Sequence, residues 1–216
     1  MRATGHTGAV HYEIVHGYPM PAHFAGDPAL ELCNTWAGWE TPPVPGAPVD
    51  RRRDYLADFD RFAIWTAHVG LLGHDDSERL RALGRERPRL AGRNLTDVWR
   101  LRTALHDTLL DRAATDAFDT VAAYADRAAG ASRLTRDADG LAARQVDNAI
   151  GASLGLLVTA QAAERLLTDP ASGSVRACPG EDCGWLFLDP RGRRRWCSMT
   201  SCGNRAKVRA HAARQS

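Results

Sequence analysis

The chain has 216 residues, of which 44% are hydrophobic, 7% aromatic and 25% charged, with a formal net charge of +2. That length allows one domain, or one domain with a small appended module, and the composition excludes a disordered chain. No apolar run approaches the roughly 20 residues that a membrane helix needs, and the first residues lack a secretory apolar core, so a cytoplasmic setting with reduced thiols is expected.

Divided by position, the charge is uneven. From Val175 onward nine basic residues face three acids, a difference of +6, and subtracting these from the totals of 28 and 26 leaves 19 basic and 23 acidic residues, or −4, for the rest. The chain is an acidic body with a basic tail.

In chain order, "HYEIV" is a short strand candidate within a Gly-, His- and Pro-rich start. "GDPALELCNTWAGWE" reads as a helix with Asp27 as cap and Pro28 in its first turn. "TPPVPGAPVDRRR" is an exposed loop whose three arginines are most simply solvated, with an acidic partner as the other reading. From Asp54, "DYLADFDRFAIWTAHVGLLG" spaces apolar residues for a helix, with Gly73 where that helix would end. "DSERLRALGRER", "NLTDVWRLRTALHDTLLDRAA" and "TDAFDTVAAYADRAAG" supply three more helices, the second with Leu95, Val98, Leu101, Leu105 and Leu109 on one face. Asp139-Gly140 is a turn between segments that can pair as a small hairpin. "ASLGLLVTAQAAERLLTD" is a further helix, and "PASGSVR" reads as the hinge to the tail. The expected fold is a mainly α N-terminal domain over residues 1–172, followed by a small module over residues 173–216.

The tail holds four of the five cysteines. Cys178, Cys183, Cys197 and Cys202 form C-x4-C, a gap of 13 residues, then C-x4-C. Two such knuckles can close a tetrahedral zinc site, and reduced thiols disfavour the disulfide alternative. Between them "WLFLD" can return through Pro190 and Gly192 to "RRRWC" as a hairpin, and "CGNRAKVRAHAAR" has the makings of a helix. Knuckle, hairpin and helix is the order of a treble-clef-like module. Trp185 and Trp196 cover the metal or pack on the body, with stacking on nucleic-acid bases as the other reading.

The residues "CPGEDCGWLFLD" and "RRWCSMTSCGNRAKVRAH" resemble the CGNR zinc-finger family of bacterial proteins, whose name stands here as Cys202, Gly203, Asn204 and Arg205. "GDPALELCNTWAGW" and "DYLADFDRFAIWTAHVGLL" are similar to the opening of the ABATE domain that precedes that finger in the family. The resemblance implies a stress-induced transcription regulator, a role that is itself an inference for the family. Cys33 departs from it, standing where a bulkier apolar residue is usual.

A basic zinc-held scaffold is an electrostatic footprint for DNA. Arg191, Arg193, Arg194 and Arg195 suit phosphates, Arg205, Lys207 and Arg209 lie along the last helix, and Asn204 and Arg205 can reach base edges. Asn204 can equally cap the helix or hydrogen-bond a zinc thiolate, and Arg205 can brace the module. Asn34, Trp36, Trp39, Trp65 and Trp99 can line a pocket for a small-molecule effector or simply fill a core. A homodimer is compatible with a DNA regulator, although no coiled-coil heptads are present. Phosphate-loop, dinucleotide and H-E-x-x-H signatures are missing and a four-cysteine site is closed, so no catalytic residues are expected. The competing class is a zinc-stabilised protein-interaction module or a structural cap without DNA.

Overall fold

The computed structural model describes residues 4–7, 10–44, 46–136 and 139–215. Pro45 of the proline-rich loop, Asp137 and Ala138 of the expected hairpin, and the extreme ends of the two expected domains lie outside that set. Strands β1 (Thr4–Thr7), β2 (Val10–Val15) and β3 (Tyr18–Pro21) form an antiparallel ribbon in that order, with Val15 opposite Tyr18. The expected strand at 11–15 is its middle member.

The body is helical because apolar residues recur at helical period and acidic caps mark the starts. Helix α1 (Pro28–Cys33) begins where Asp27 accepts the Ala29 N–H at 2.7 Å, and Pro28 occupies the first turn. Helices α2 (Phe59–His68), α3 (His74–Glu86), α4 (Pro88–Leu110) and α5 (Thr115–Gly130) follow. A hairpin of β4 (Ser132–Arg136) and β5 (Ala142–Val146) leads to α6 (Leu154–Thr168). Apolar almost all round, α6 is the central helix, packed against α1, α2, α4 and α5.

Helix α2 starts later than its pattern suggested. Asp54 is buried instead of helical, Asp58 caps the helix by accepting the Arg61 N–H, and the chain turns at Gly70 with φ 75°; Gly73 precedes α3. The Asp54 backbone instead forms an antiparallel bridge with Trp36, and its carboxylate accepts from Arg102 at 2.8 Å on both oxygens, while Arg102 also donates to Thr35 Oγ1 at 3.0 Å. Both charges are almost fully buried, so each is tolerated only through the other.

The C-terminal segment packs directly on this body. "PASGSVR" is not a hinge: residues 170–174 form a 3-10 turn capped by Asp169, and the Ser174 carbonyl accepts the Asp189 N–H at 2.9 Å. Strand β6 (Val175–Ala177) pairs antiparallel with β7 (Leu186–Leu188) around the first knuckle. The hairpin expected between "WLFLD" and "RRRWC" does not form, because β6 takes that edge of β7 and Asp189 instead accepts the Arg193 and Arg194 N–H groups in a tight turn. Helix α7 (Asn204–Ala212) ends the fold.

Body and module meet along residues 24–40. Asn34 uses its side-chain amide like a strand residue, donating to the Leu186 carbonyl at 2.9 Å and accepting the Leu186 N–H at 2.8 Å. The Trp185 indole donates to the Trp36 carbonyl at 2.8 Å, the Trp39 N–H to the Cys183 carbonyl at 3.1 Å, and the Leu188 N–H to the Ala25 carbonyl at 2.9 Å. Gly184 (φ 66°) is needed here, since a Cβ would lie 2.5 Å from the Trp39 Cβ. Trp185, Leu186, Phe187 and the cysteines belong to the same buried cluster as the helices. Arg53 completes the seam with bonds to the Ala37 and Gly38 carbonyls and to Asp182 at 3.0 Å, so this loop arginine is structural and not simply solvated.

Near the seam, burial raises the Glu31 carboxyl to about 7, only partly offset by the Ala25 N–H that it accepts at 2.8 Å. A carboxyl that holds its proton more tightly when folded contributes stability at low pH that is lost as pH rises from its unfolded value, near 4.5, through about 7. Urea midpoints measured at pH 5 and pH 8 are expected to differ by less in Glu31→Gln than in the unaltered chain; an equal difference counts against the assignment. Asp54→Ala is expected to cost about 3–5 kcal/mol in urea unfolding, because it leaves the Arg102 charge buried without a partner.

Candidate metal centre

The four sulfurs of Cys178, Cys183, Cys197 and Cys202 lie within 4.8 Å of one another and all four residues are buried. None is in a disulfide. Cys183 and Cys197 sulfurs are 3.8 Å apart, and those of Cys197 and Cys202 are 3.7 Å apart. A tetrahedron with Zn–S bonds of about 2.3 Å has S···S edges of about 3.8 Å, so the quartet has the size that zinc requires. The local chain explains this geometry. The Cys178 N–H donates to the Trp185 carbonyl and the Cys183 N–H to the Gly180 carbonyl, which folds the first knuckle inside the β6–β7 hairpin. A Cβ at Gly180 would lie 2.8 Å from the Cys202 sulfur, so the knuckle closes only with glycine there. The second knuckle is a π-type turn over Met199–Gly203 that runs into α7.

Among the thiols, hydrogen bonds from Cys183 and Cys197 draw Cys178 down to about 7. Cys202 is held low by bonds from the other three thiols and also by Arg205, while the crowded neighbours push Cys183 and Cys197 up. A dication at the centre lets all four bind as thiolates and supplies folding free energy to a unit with little core of its own. Arg205 donates from a guanidinium nitrogen to the Cys202 sulfur at 2.9 Å.

The arginines around the centre divide into two groups. Arg194 donates to the Phe24 carbonyl at 2.9 Å, the Cys197 carbonyl at 2.7 Å and the Leu188 carbonyl at 3.3 Å, and its guanidinium lies 4.4 Å from the Phe187 ring centroid. It ties module to body, which its place in a run of three arginines does not reveal. Arg209 pairs with Glu181 at 2.8 Å. Arg191, Arg193 and Arg195 are exposed and Lys207 is exposed on α7; none of the four has an ion pair among the described residues, and Arg195 rests over Trp196 at 5.1 Å. Asn204 is exposed, with one long contact to the Thr200 carbonyl at 3.5 Å and none to a sulfur.

The body residues expected to line a pocket are placed in the core and the seam. Asn34 is spent on Leu186 and the Trp36 carbonyl on Trp185. Trp65 is fully buried in the helical core, and Trp99 is fixed by its bond to the Leu56 carbonyl at 3.1 Å. Cys33 is fully buried beside Arg102, and burial pushes its thiol far up, so it behaves as a small core residue. Trp39, also expected to line that pocket, lies in the seam, stacked on His106 at 3.6 Å.

The fold and site define the class: a mainly helical body carrying a four-cysteine zinc finger. Residues 174–215 match the family described as CGNR zinc finger. Residues 26–170, 145 of the 216, match the ABATE family, described as "Putative stress-induced transcription regulator". The chain belongs to the ABATE family and binds zinc through a CGNR finger. Neither match is to an enzyme family. Curated proteins provide no match, and no helix among the described residues is long and apolar enough to cross a membrane.

Removing a hydrogen-bond partner of a metal ligand commonly costs 10–100-fold in metal affinity. Arg205→Ala is therefore expected to weaken zinc by about 10-fold or more in competition with a chromophoric chelator, while Arg209→Ala leaves it unchanged. Equal affinity in Arg205→Ala would show that the Arg205–Cys202 bond does not support the centre.

Proposed function

We propose that this chain is a transcription regulator that meets DNA through the exposed arginines of its zinc module, with the helical body as a sensor. The observation that carries this reading is the loop 190–195. Its backbone is fixed by Asp189 next to the zinc knuckle, and Arg191, Arg193 and Arg195 project from it unpaired among the described residues. Guanidinium groups held on a firm turn bind phosphates with little further ordering. Lys207 extends the basic surface along α7. Arg194, Arg205 and Arg209 are left out of the DNA-facing set because their guanidiniums already serve the seam, a thiolate and Glu181. The zinc ligands in this reading are Cys178, Cys183, Cys197 and Cys202, the metal is structural, and no group acts as a catalyst. A cytoplasmic setting and the domain division near residue 172 belong to the same reading.

A second reading has its own support. The module shares a core with the body and is stitched to it by Asn34, Trp185 and Arg194, as a zinc-stabilised cap would be.

Anisotropy of a labelled duplex across a salt series decides between them. The regulator reading expects log K to fall linearly with log salt, and the triple change Arg191→Ala, Arg193→Ala, Arg195→Ala to lower the slope by about 1 for each phosphate that is no longer neutralised. No duplex binding by zinc-loaded protein at moderate salt, or an unchanged slope in the triple variant, supports the cap.

A further inference from the structure

Away from the zinc centre, a cleft of about 230 Å³ opens between β2, β3 and the chain from Arg51 to Tyr55. We propose that it binds a small organic anion bearing a carboxylate or phosphate group, held by Arg51, Arg52 and Arg61 with Tyr12 and Tyr55 as hydroxyl donors. This deepens the sensing half of the reading above, rests on it, and is independent of whether the module meets DNA.

The lining is rich in positive charge and poor in competing acids. Arg51 and Arg61 share one carboxylate, Asp58, each at 3.4 Å, and that group also caps α2. The guanidinium of Arg52 has no hydrogen bond or ion pair among the described residues, since only its backbone N–H is used, by Asp50. Arg61 is mostly buried and stands over the Tyr18 ring at 5.0 Å, and its Nε makes no hydrogen bond, its contact with Asp58 at 3.4 Å being an ion pair alone. Asp54 also borders the cleft, but both of its oxygens are taken by Arg102 at 2.8 Å. Three arginines line the cleft and only two of them share a carboxylate, so guanidinium donors outnumber free acceptors around it, a composition suited to an oxyanion.

The two phenols sharpen this. Burial, with Tyr12 nearby, raises the Tyr55 hydroxyl to about 12, so it remains a donor at neutral pH. Ile14 and Pro19 supply apolar wall, which suits a ligand with a small carbon skeleton more than a bare ion. The volume lies below the roughly 300–1,000 Å³ of drug-sized sites, so the occupant is small. The Tyr55 ring also meets Trp185 of the zinc module edge-on at 6.5 Å, which puts the cleft one side chain from the seam.

Isothermal titration of the zinc-loaded full chain with phenyl phosphate and with benzoate, and with benzylamine as the cationic control, tests the site. Saturable binding of at least one anion and none of benzylamine is expected; whichever anion binds more tightly identifies the head group. Arg52→Ala, which breaks no side-chain bond among the described residues, is expected to weaken that binding at least about tenfold, while Arg144→Ala on exposed β5 leaves it unchanged. No saturable heat with either anion overturns the proposal, as does equal affinity in Arg52→Ala. Unaltered probe binding with weakened duplex binding in Arg52→Ala also overturns it and assigns this face to nucleic acid. Loss of duplex binding in the loop 190–195 variant with probe binding retained separates failure of the DNA reading from failure of this one.

Discussion

A C-terminal unit this small cannot bury enough apolar surface to hold itself together, and the rest of the architecture follows from the two places where that deficit is met. One is the sulfur quartet, whose edges of 3.7 and 3.8 Å fit a single tetrahedral ion. The other is the body, which lends Asn34 as a substitute strand residue and receives Trp185 in return. The two supports are mechanically joined, because Cys178 and Cys183 lie on the same hairpin turn whose next residues, Gly184 to Leu188, form the seam. Metal site and seam are thus neighbours on one short hairpin.

Charge sums along the chain point to an acidic body attracting a basic tail, yet the salt bridge across the seam runs the other way. Arg53 of the body meets Asp182 of the module, while the most consequential tail cation at the seam, Arg194, bonds to carbonyl oxygens and stacks on Phe187. Local geometry overrides net charge because a contact at about 3 Å is far stronger than a screened field spread over a domain. The same logic sorts the arginines: those with a fixed acceptor hold the structure, and those without one define what the surface offers a partner.

The sequence was most legible where the chemistry is rigid. Thiolate coordination demands paired cysteines, so all four ligands and the metal could be read from spacing, and the long helices followed from period and caps. The failures share one cause, dependence on residues far along the chain. Asn34 looked available for a ligand because its partner, Leu186, is 152 positions away. The hairpin partner of β7 was misassigned because β6 has only three residues and too little pattern to announce itself. Arg194 was indistinguishable from Arg193 and Arg195 because the acceptors that set it apart, on Phe24 and Cys197, appear only once the chain is folded. The cleft beside Arg52 was hidden for the same reason: its wall comes from a ribbon some thirty residues earlier, and the loop itself read as solvated.

The bond from Arg205 to Cys202 also alters the electrostatic size of the module. The +6 counted from Val175 onward, nine cations less three acids, treats the cysteines as neutral. Four thiolates around a dication carry a formal charge of about −2, which brings the loaded unit to roughly +4. Arg205 faces that anionic centre directly, so its charge is largely spent inward. A polyanion approaching from a distance would therefore feel a weaker pull than the residue count suggests, and capture would depend less on long-range steering than on the few guanidinium groups it finally touches.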